Sequence, residues 1–185
     1  MRKNLGAKTV LYPLPVLIIG TFDEEGNPDA MNAAWGGISD YNQIVLSLAM
    51  EHKTTKNILS RKAFTVGFGT EDRLESEDYV GMVSANEVKD KFSKAGFHAV
   101  RSEFVDAPVI EELPMCLECR LEKVSDDGLF FGEIVNVSVD SSFVDEKGTI
   151  DPTKMNLISY DPINHDYLRV GGIAGKAFSS GKKLK

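Results

Sequence analysis

Cysteine, tryptophan and histidine are scarce in this chain, and no long hydrophobic run occurs. Two cysteines in 185 residues cannot build a disulfide framework, and three histidines at 52, 98 and 165 lack the local spacing of a metal site. No metal centre is expected. The apolar runs are too short to span a bilayer, and Met1-Arg2-Lys3-Asn4-Leu5-Gly6 is not followed by the apolar region of a secretory signal. These features predict a cytoplasmic protein. Basic charge is also in short supply: the formal net charge is −7, and the lysines and arginines are scattered apart from the tail at 182–185. That balance argues against nucleic acid and against an anionic membrane surface. No G-x-S-x-G nucleophile motif is present.

The two cysteines stand as C-x-x-C, at Cys116 and Cys119. Their surroundings, Met115-Cys116-Leu117-Glu118-Cys119-Arg120-Leu121-Glu122, alternate as a strand does, so residues three apart face opposite ways. Two separate thiols are expected. Strand signals also cover Val16–Phe22, 29–35, Ile44–Ala49 and Ala63–Phe68, with a turn cluster at Asp23–Pro28 and a short helix from about Thr55 to Arg61. Gly36-Gly37 reads as the end of the second arm. The clearest hairpin pairs Met115–Lys123 with Leu129–Val139 across Ser125-Asp126-Asp127-Gly128. Between the strands, a polar and peripheral helical insertion is expected at about 70–97, with a first start at Thr70 and a second at Asn86-Glu87 whose helix stops at Gly96. About six strands in hairpin order predict a mainly β fold, an antiparallel barrel with helices outside it, in one domain spanning 1–185.

Two stretches carry the chemistry. His52-Lys53-Thr54-Thr55-Lys56-Asn57 follows the strand Ile44–Ala49 and opens a helix, so a cation, hydroxyls and free N–H groups converge where a phosphate monoester would be held. The same residues also read as an ordinary exposed helix start with Thr54 or Thr55 as N-cap. Asn32-Ala33-Ala34-Trp35 offers small side chains against which a planar ring can lie, with Trp35 as an aromatic wall; plain core filling is the alternative for Trp35. Lys91 reads on periodicity as an exposed helical lysine. Glu133 shares strand parity with Phe131 and Val135, which turns it inward unless a bulge at Gly132 reverses the parity; no role is assigned to it. Gly171-Gly172-Ile173-Ala174-Gly175 lacks the strand-loop-helix unit of a dinucleotide site and reads as a flexible turn.

The ordered set Gly20-Thr21, Gly26-Asn27-Pro28, Asn32-Ala33-Ala34-Trp35, Thr54-x-x-Asn57-Ile58, Tyr79-Val80-Gly81-x-Val83-Ser84, Asp90-Lys91-Phe92 and Phe131-Gly132-Glu133-Ile134 resembles the flavin reductase-like family, in its flavoredoxin branch. The resemblance implies an FMN-binding split barrel that forms a homodimer with the flavin near the interface. It places Asn32, Ala33, Ala34 and Trp35, with Ser47, Leu48 and Ala49, along the ring and ribityl chain. It assigns His52, Lys53, Thr54 and Asn57 to the phosphate, and Ser84 and Lys91 to the ring or the closure of the pocket. Ala85 stands where relatives often carry glycine, and His52-Lys53 replaces an arginine-containing sequence, so the charge is kept without the bidentate fork. The activity implied is FMN-dependent oxidoreduction, with hydride taken from NAD(P)H and passed to a small-molecule or protein acceptor. Rival readings are an electron carrier without direct NAD(P)H use, a non-catalytic flavin-binding module and a structural dimer without cofactor; pyridoxamine phosphate oxidation on a related barrel has no substrate-site signature here.

Overall fold

The computed structural model describes residues 1–184. In chain order the strands are β1 (Leu14–Pro15), β2 (Leu17–Phe22), β3 (Pro28–Ala33), β4 (Gly36–Asp40) and β5 (Gln43–Ser47), followed by helix α1 (Lys53–Arg61) and β6 (Ala63–Phe68). Helices α2 (Leu74–Met82) and α3 (Lys91–Lys94) come next, then β7 (Ala99–Arg101), β8 (Pro108–Ile110), β9 (Met115–Val124), β10 (Leu129–Val139), β11 (Ile158–Asp161) and β12 (Asp166–Arg169). Seven strands form one antiparallel sheet in the order β3-β2-β6-β9-β10-β5-β4. Smaller sheets, β1-β11-β12 and β7-β8, flank it.

The connectivity forces this sheet to curl. Its outer strands, β3 and β4, are joined by Ala34 and Trp35 alone, and three Cα steps reach at most about 11 Å. The two edges therefore meet. Leu17 of β2 lies so near β4 that a Cβ on Gly36 would come within 2.9 Å of its Cδ1 and 2.6 Å of Leu46 Cδ2. The result is a mainly β, antiparallel split barrel whose seam is the short link between β3 and β4. Gly36-Gly37 starts a strand at that seam instead of ending one.

Both faces of β2 are buried, which explains its unbroken apolar run. Leu17 and Ile19 face the barrel interior with Leu46, Phe64, Leu117 and Phe130. Val16 and Ile18 face outward, into a second core with Ala30, Val80, Phe92 and Phe97. The segment 70–97 is thus packed against the barrel and not peripheral. Its second helix is shorter than the sequence suggests, a single turn at Lys91–Lys94. Ser84 Oγ accepts from the Asn86 N–H at 3.2 Å, Asn86 Nδ2 donates to the Glu51 carbonyl at 3.2 Å, and the backbone there closes only an isolated turn, from the Glu87 and Val88 N–H groups to the Ser84 carbonyl.

The β9–β10 hairpin forms as the alternation predicts. Its register slips between Phe131 and Gly132, a bulge that turns Glu133 outward to Arg120 at 3.0 Å. Cys119 lies in the barrel core, whereas Cys116 is buried outside that cluster, and neither is bridged. Burial pushes the Cys116 thiol up to about 12, so it remains protonated and unreactive. At Gly132 a Cβ would fall 2.4 Å from Cζ of the fully buried Phe64. Gly132→Ala is expected to destabilise the fold by about 1–3 kcal/mol, since the ring has nowhere to retreat. Urea unfolding of the pair checks this; equal midpoints would mean that the hairpin yields freely.

Candidate functional site

A cleft of about 360 Å³ opens at the seam. Its floor is the end of β3 and the link to β4, namely Asn32, Ala33, Ala34 and Trp35. Opposite stand Ser47, Leu48 and Ala49, where β5 leaves the sheet; the Ser47 N–H donates to the Trp35 carbonyl at 2.8 Å and fixes the two sides. The far wall comes from the end of α2 and the residues after it, Val80 through Ala85, and includes Ser84. His52, Lys53 and Thr54 enter from the start of α1, and Lys91 from α3.

The start of α1 is bare. Its N-cap is His52, which makes no side-chain bond to the first-turn N–H groups, and no acidic residue lies in that turn. Neither Thr54 nor Thr55 caps the helix, because both are already inside it and buried. The first-turn amides, the positive end of the helix and Lys53 accordingly face the cleft together, an arrangement that favours an anion. The Thr54 hydroxyl is not among the donors, because Oγ1 donates to Asp29 Oδ2 at 2.6 Å.

Among the residues singled out from sequence, Asn57 alone does not line the cleft. It sits one turn further along α1, where the helical rise carries it about 6 Å deeper, and its Nδ2 donates to Thr21 Oγ1 at 3.0 Å. Trp35 is no core residue: it is 55% exposed and stands between the cleft and an apolar groove of about 440 Å³ formed by Leu11, Leu14, Gly36, Val45 and Leu129. Asn32 bonds to protein groups, donating from Nδ2 to the Glu77 carbonyl at 3.2 Å and so tying α2 to β3. Lys91 is no exposed helical lysine, being buried with its Nζ 3.5 Å from Asp29 Oδ1.

Two acidic residues near the site went unread in the sequence. Asp29 begins the second strand as if it belonged to the preceding turn, and its signal is only that β3 buries the positions around it. Glu77, on α2, is fully buried and receives the Thr70 N–H on both carboxyl oxygens at 2.9 and 3.0 Å. Burial lifts its carboxyl from an ordinary 4.5 to about 7, against the pull of those hydrogen bonds and of Arg73.

The flavin reductase like domain profile matches residues 9–156. The chain belongs to the flavin reductase-like family. Over 98% of this flavin reductase-like chain and all of the other, it is 38% identical to the flavoredoxin of Desulfovibrio vulgaris (Miyazaki F), with a TM-score of 0.94. It is 26% identical, with full coverage of both chains and a TM-score of 0.89, to the flavoredoxin from Methanosarcina acetivorans. The fold is also that of an FMN-binding domain of a flavin reductase-like enzyme from Shewanella baltica OS155, at 19% identity, 88% coverage of each chain and a TM-score of 0.77. Among the described residues no helix is long and apolar enough to cross a membrane.

Proposed function

We propose that the seam cleft holds FMN and that the protein is an FMN-dependent oxidoreductase, taking hydride from NAD(P)H and passing electrons to a small-molecule or protein acceptor. The observation that carries this reading is the uncapped start of α1 facing the cleft beside Lys53. The residues present fit the group. A phosphate monoester would occupy the α1 end, where first-turn N–H groups, His52 and Lys53 converge. The flat shelf Asn32–Ala34 carries no bulky side chain before Trp35, so a planar ring can lie against the backbone. The cleft volume lies within the usual range for cofactor sites, about 300–1,000 Å³.

Bound FMN would supply the two-electron chemistry, which no protein side chain at the site provides. The chain orients and shields. Lys53 and the α1 amides anchor the tail, Asn32 holds α2 against β3 so that the far wall keeps its distance, and half-exposed Trp35 limits solvent access at the mouth. The same reading includes a homodimer with the flavin near the interface. Its support is the apolar surface beside the cleft, where Trp35 and Leu11 are 55% and 64% exposed.

The visible spectrum of the purified protein tests this directly. With FMN added under strict anaerobiosis, NADH or NADPH is expected to bleach the flavin absorbance, and an added acceptor to restore it. Bound flavin that only a protein donor reduces would make the chain an electron carrier. Colourless protein that ignores FMN would end the proposal.

A further inference from the structure

Three side chains lining the cleft are basic: His52, Lys53 and Lys91. Lys91 differs from the others in being 3% exposed, and a buried ammonium without a partner would cost several kcal/mol. Its partner is Asp29, itself 4% exposed, whose Oδ1 lies 3.5 Å from Lys91 Nζ. Among the described residues that oxygen has no closer donor, and the distance is a charge contact more than a hydrogen bond. Oδ2 is engaged by the Thr54 hydroxyl. One carboxylate on β3 therefore touches α1 and α3, the two elements that bring cations to the α1 end of the cleft.

Few other charges bear on Lys91. The other basic residues lining the cleft are His52 and Lys53, and the α2 wall offers Val80, Gly81, Met82, Val83 and Ser84, which carry no charge. The neighbouring Asp90 is engaged by Lys94 at 3.1 Å. On the far side of Asp29, a separate groove holds Asp23, Glu25, Lys53, Lys56 and Lys89. Burial pulls the Lys91 ammonium below its ordinary value, and the charge and hydrogen-bonding capacity of Asp29 pull it back.

We propose that Asp29 is a positioning residue for phosphate recognition: one oxygen facing Lys91 Nζ and the other accepting from Thr54, it fixes the Lys91 ammonium at the α1 end of the cleft and extends the affinity for a phosphate monoester to higher pH. This rests on the reading of the cleft as a flavin phosphate site. Asp29→Asn preserves the shape and an acceptor for Thr54 while removing the charge that balances Lys91. Lys91 then sheds its proton at lower pH, and phosphate binding must restore it. Between about pH 7 and about pH 9.5 the phosphate of FMN is predominantly a dianion, so a slope that riboflavin does not share belongs to the phosphate site.

FMN dissociation constants measured by flavin fluorescence over that range, with riboflavin as the phosphate-free control, test the proposal. Towards the alkaline end the FMN affinity of Asp29→Asn should fall by about tenfold relative to that of the wild type, with riboflavin profiles the same in both. In the double variant Asp29→Asn/Lys91→Met the slope should vanish. Parallel FMN profiles for wild type and Asp29→Asn would overturn the inference while leaving the flavin site standing. Equal affinity of the wild type for FMN and riboflavin would instead overturn the phosphate reading, and this inference with it. Should Asp29→Asn not fold, the wild type decides, through NMR of lysines labelled at Cε. The Lys91 resonance is expected to titrate apart from the exposed lysines and to shift upward in pKa when FMN is added. Titration with the exposed lysines, unmoved by FMN, would refute the proposal.

Discussion

At pH 8, Glu77→Gln should be more stable than the wild-type protein by about 2 kcal/mol, and the advantage should shrink towards zero near pH 5. The carboxyl rises from an ordinary 4.5 to about 7 on folding because it is fully buried. An acid whose folded value is raised binds more protons in the native state. Its stabilising contribution is complete below the unfolded value and is lost as pH climbs through the folded one, here between about pH 4.5 and pH 7. A shift of that size corresponds to about 3 kcal/mol, already net of the bonds from Thr70, and glutamine recovers only part of it because its amide NH2 replaces the second oxygen that receives the Thr70 N–H. Glutamine keeps one carbonyl oxygen for that N–H and has no charge to desolvate. Other acids, such as Asp161, held down at about 2 by the Tyr12 hydroxyl and the Ile163 and Asn164 donors, impose the opposite slope, so the difference between variants is the quantity to read. Urea unfolding of both proteins at pH 5, 6.5 and 8 gives it; superimposable pH profiles would mean that Glu77 is ionised throughout without cost.

The consequence reaches the cleft. Glu77 fastens α2 to Thr70, which bridges to Leu157 beside β11, and the Glu77 carbonyl accepts from Asn32 on the cleft floor. A residue unremarkable in sequence thus joins the far wall of the site to the seven-stranded sheet and to the chain entering β11.

How much of this was legible without coordinates depended on whether a residue's partners lie near it in the chain. The β2–β3 and β9–β10 hairpins could be read because alternation and turn residues are local. The strand β4 could not: its burial is slight, and its extended form comes from pairing with β5 at the seam. The floor and rim of the cleft were visible as short motifs, since Asn32–Trp35 sits at a strand end and His52–Thr54 at a helix start. Lys91 escaped the reading of its periodicity because its counter-ion is on β3, far back in the sequence. Asn57 erred the other way. Its place beside a phosphate-like motif suggested a ligand, whereas one helical turn is enough to carry it into contact with Thr21.

Lys53→Ala should weaken FMN binding on the order of a hundredfold, about 2.7 kcal/mol, and leave riboflavin binding within about twofold. Lys53 is the N1 residue of an uncapped helix, so its ammonium adds to the free first-turn amides, and the other lysine of that turn, Lys56, does not line the cleft. The loss should be largest at low salt, because part of the site is open to solvent and screening dilutes the charge. Asp23 supplies a further check. Burial raises its carboxyl, but the Asn27 donors and the Lys53 charge outweigh that and hold it low. In Lys53→Ala the Asp23 carboxyl should therefore move up, observable by NMR titration without any flavin present. The two readouts separate the causes: an altered Asp23 titration with unchanged FMN affinity would keep Lys53 where the structure has it and remove it from phosphate binding. Fold integrity is not at stake, since the side chain leaves the helix towards the cleft and the groove beside it, and α1 is held to the barrel by Ile58, Thr54 and Asn57 on its buried face.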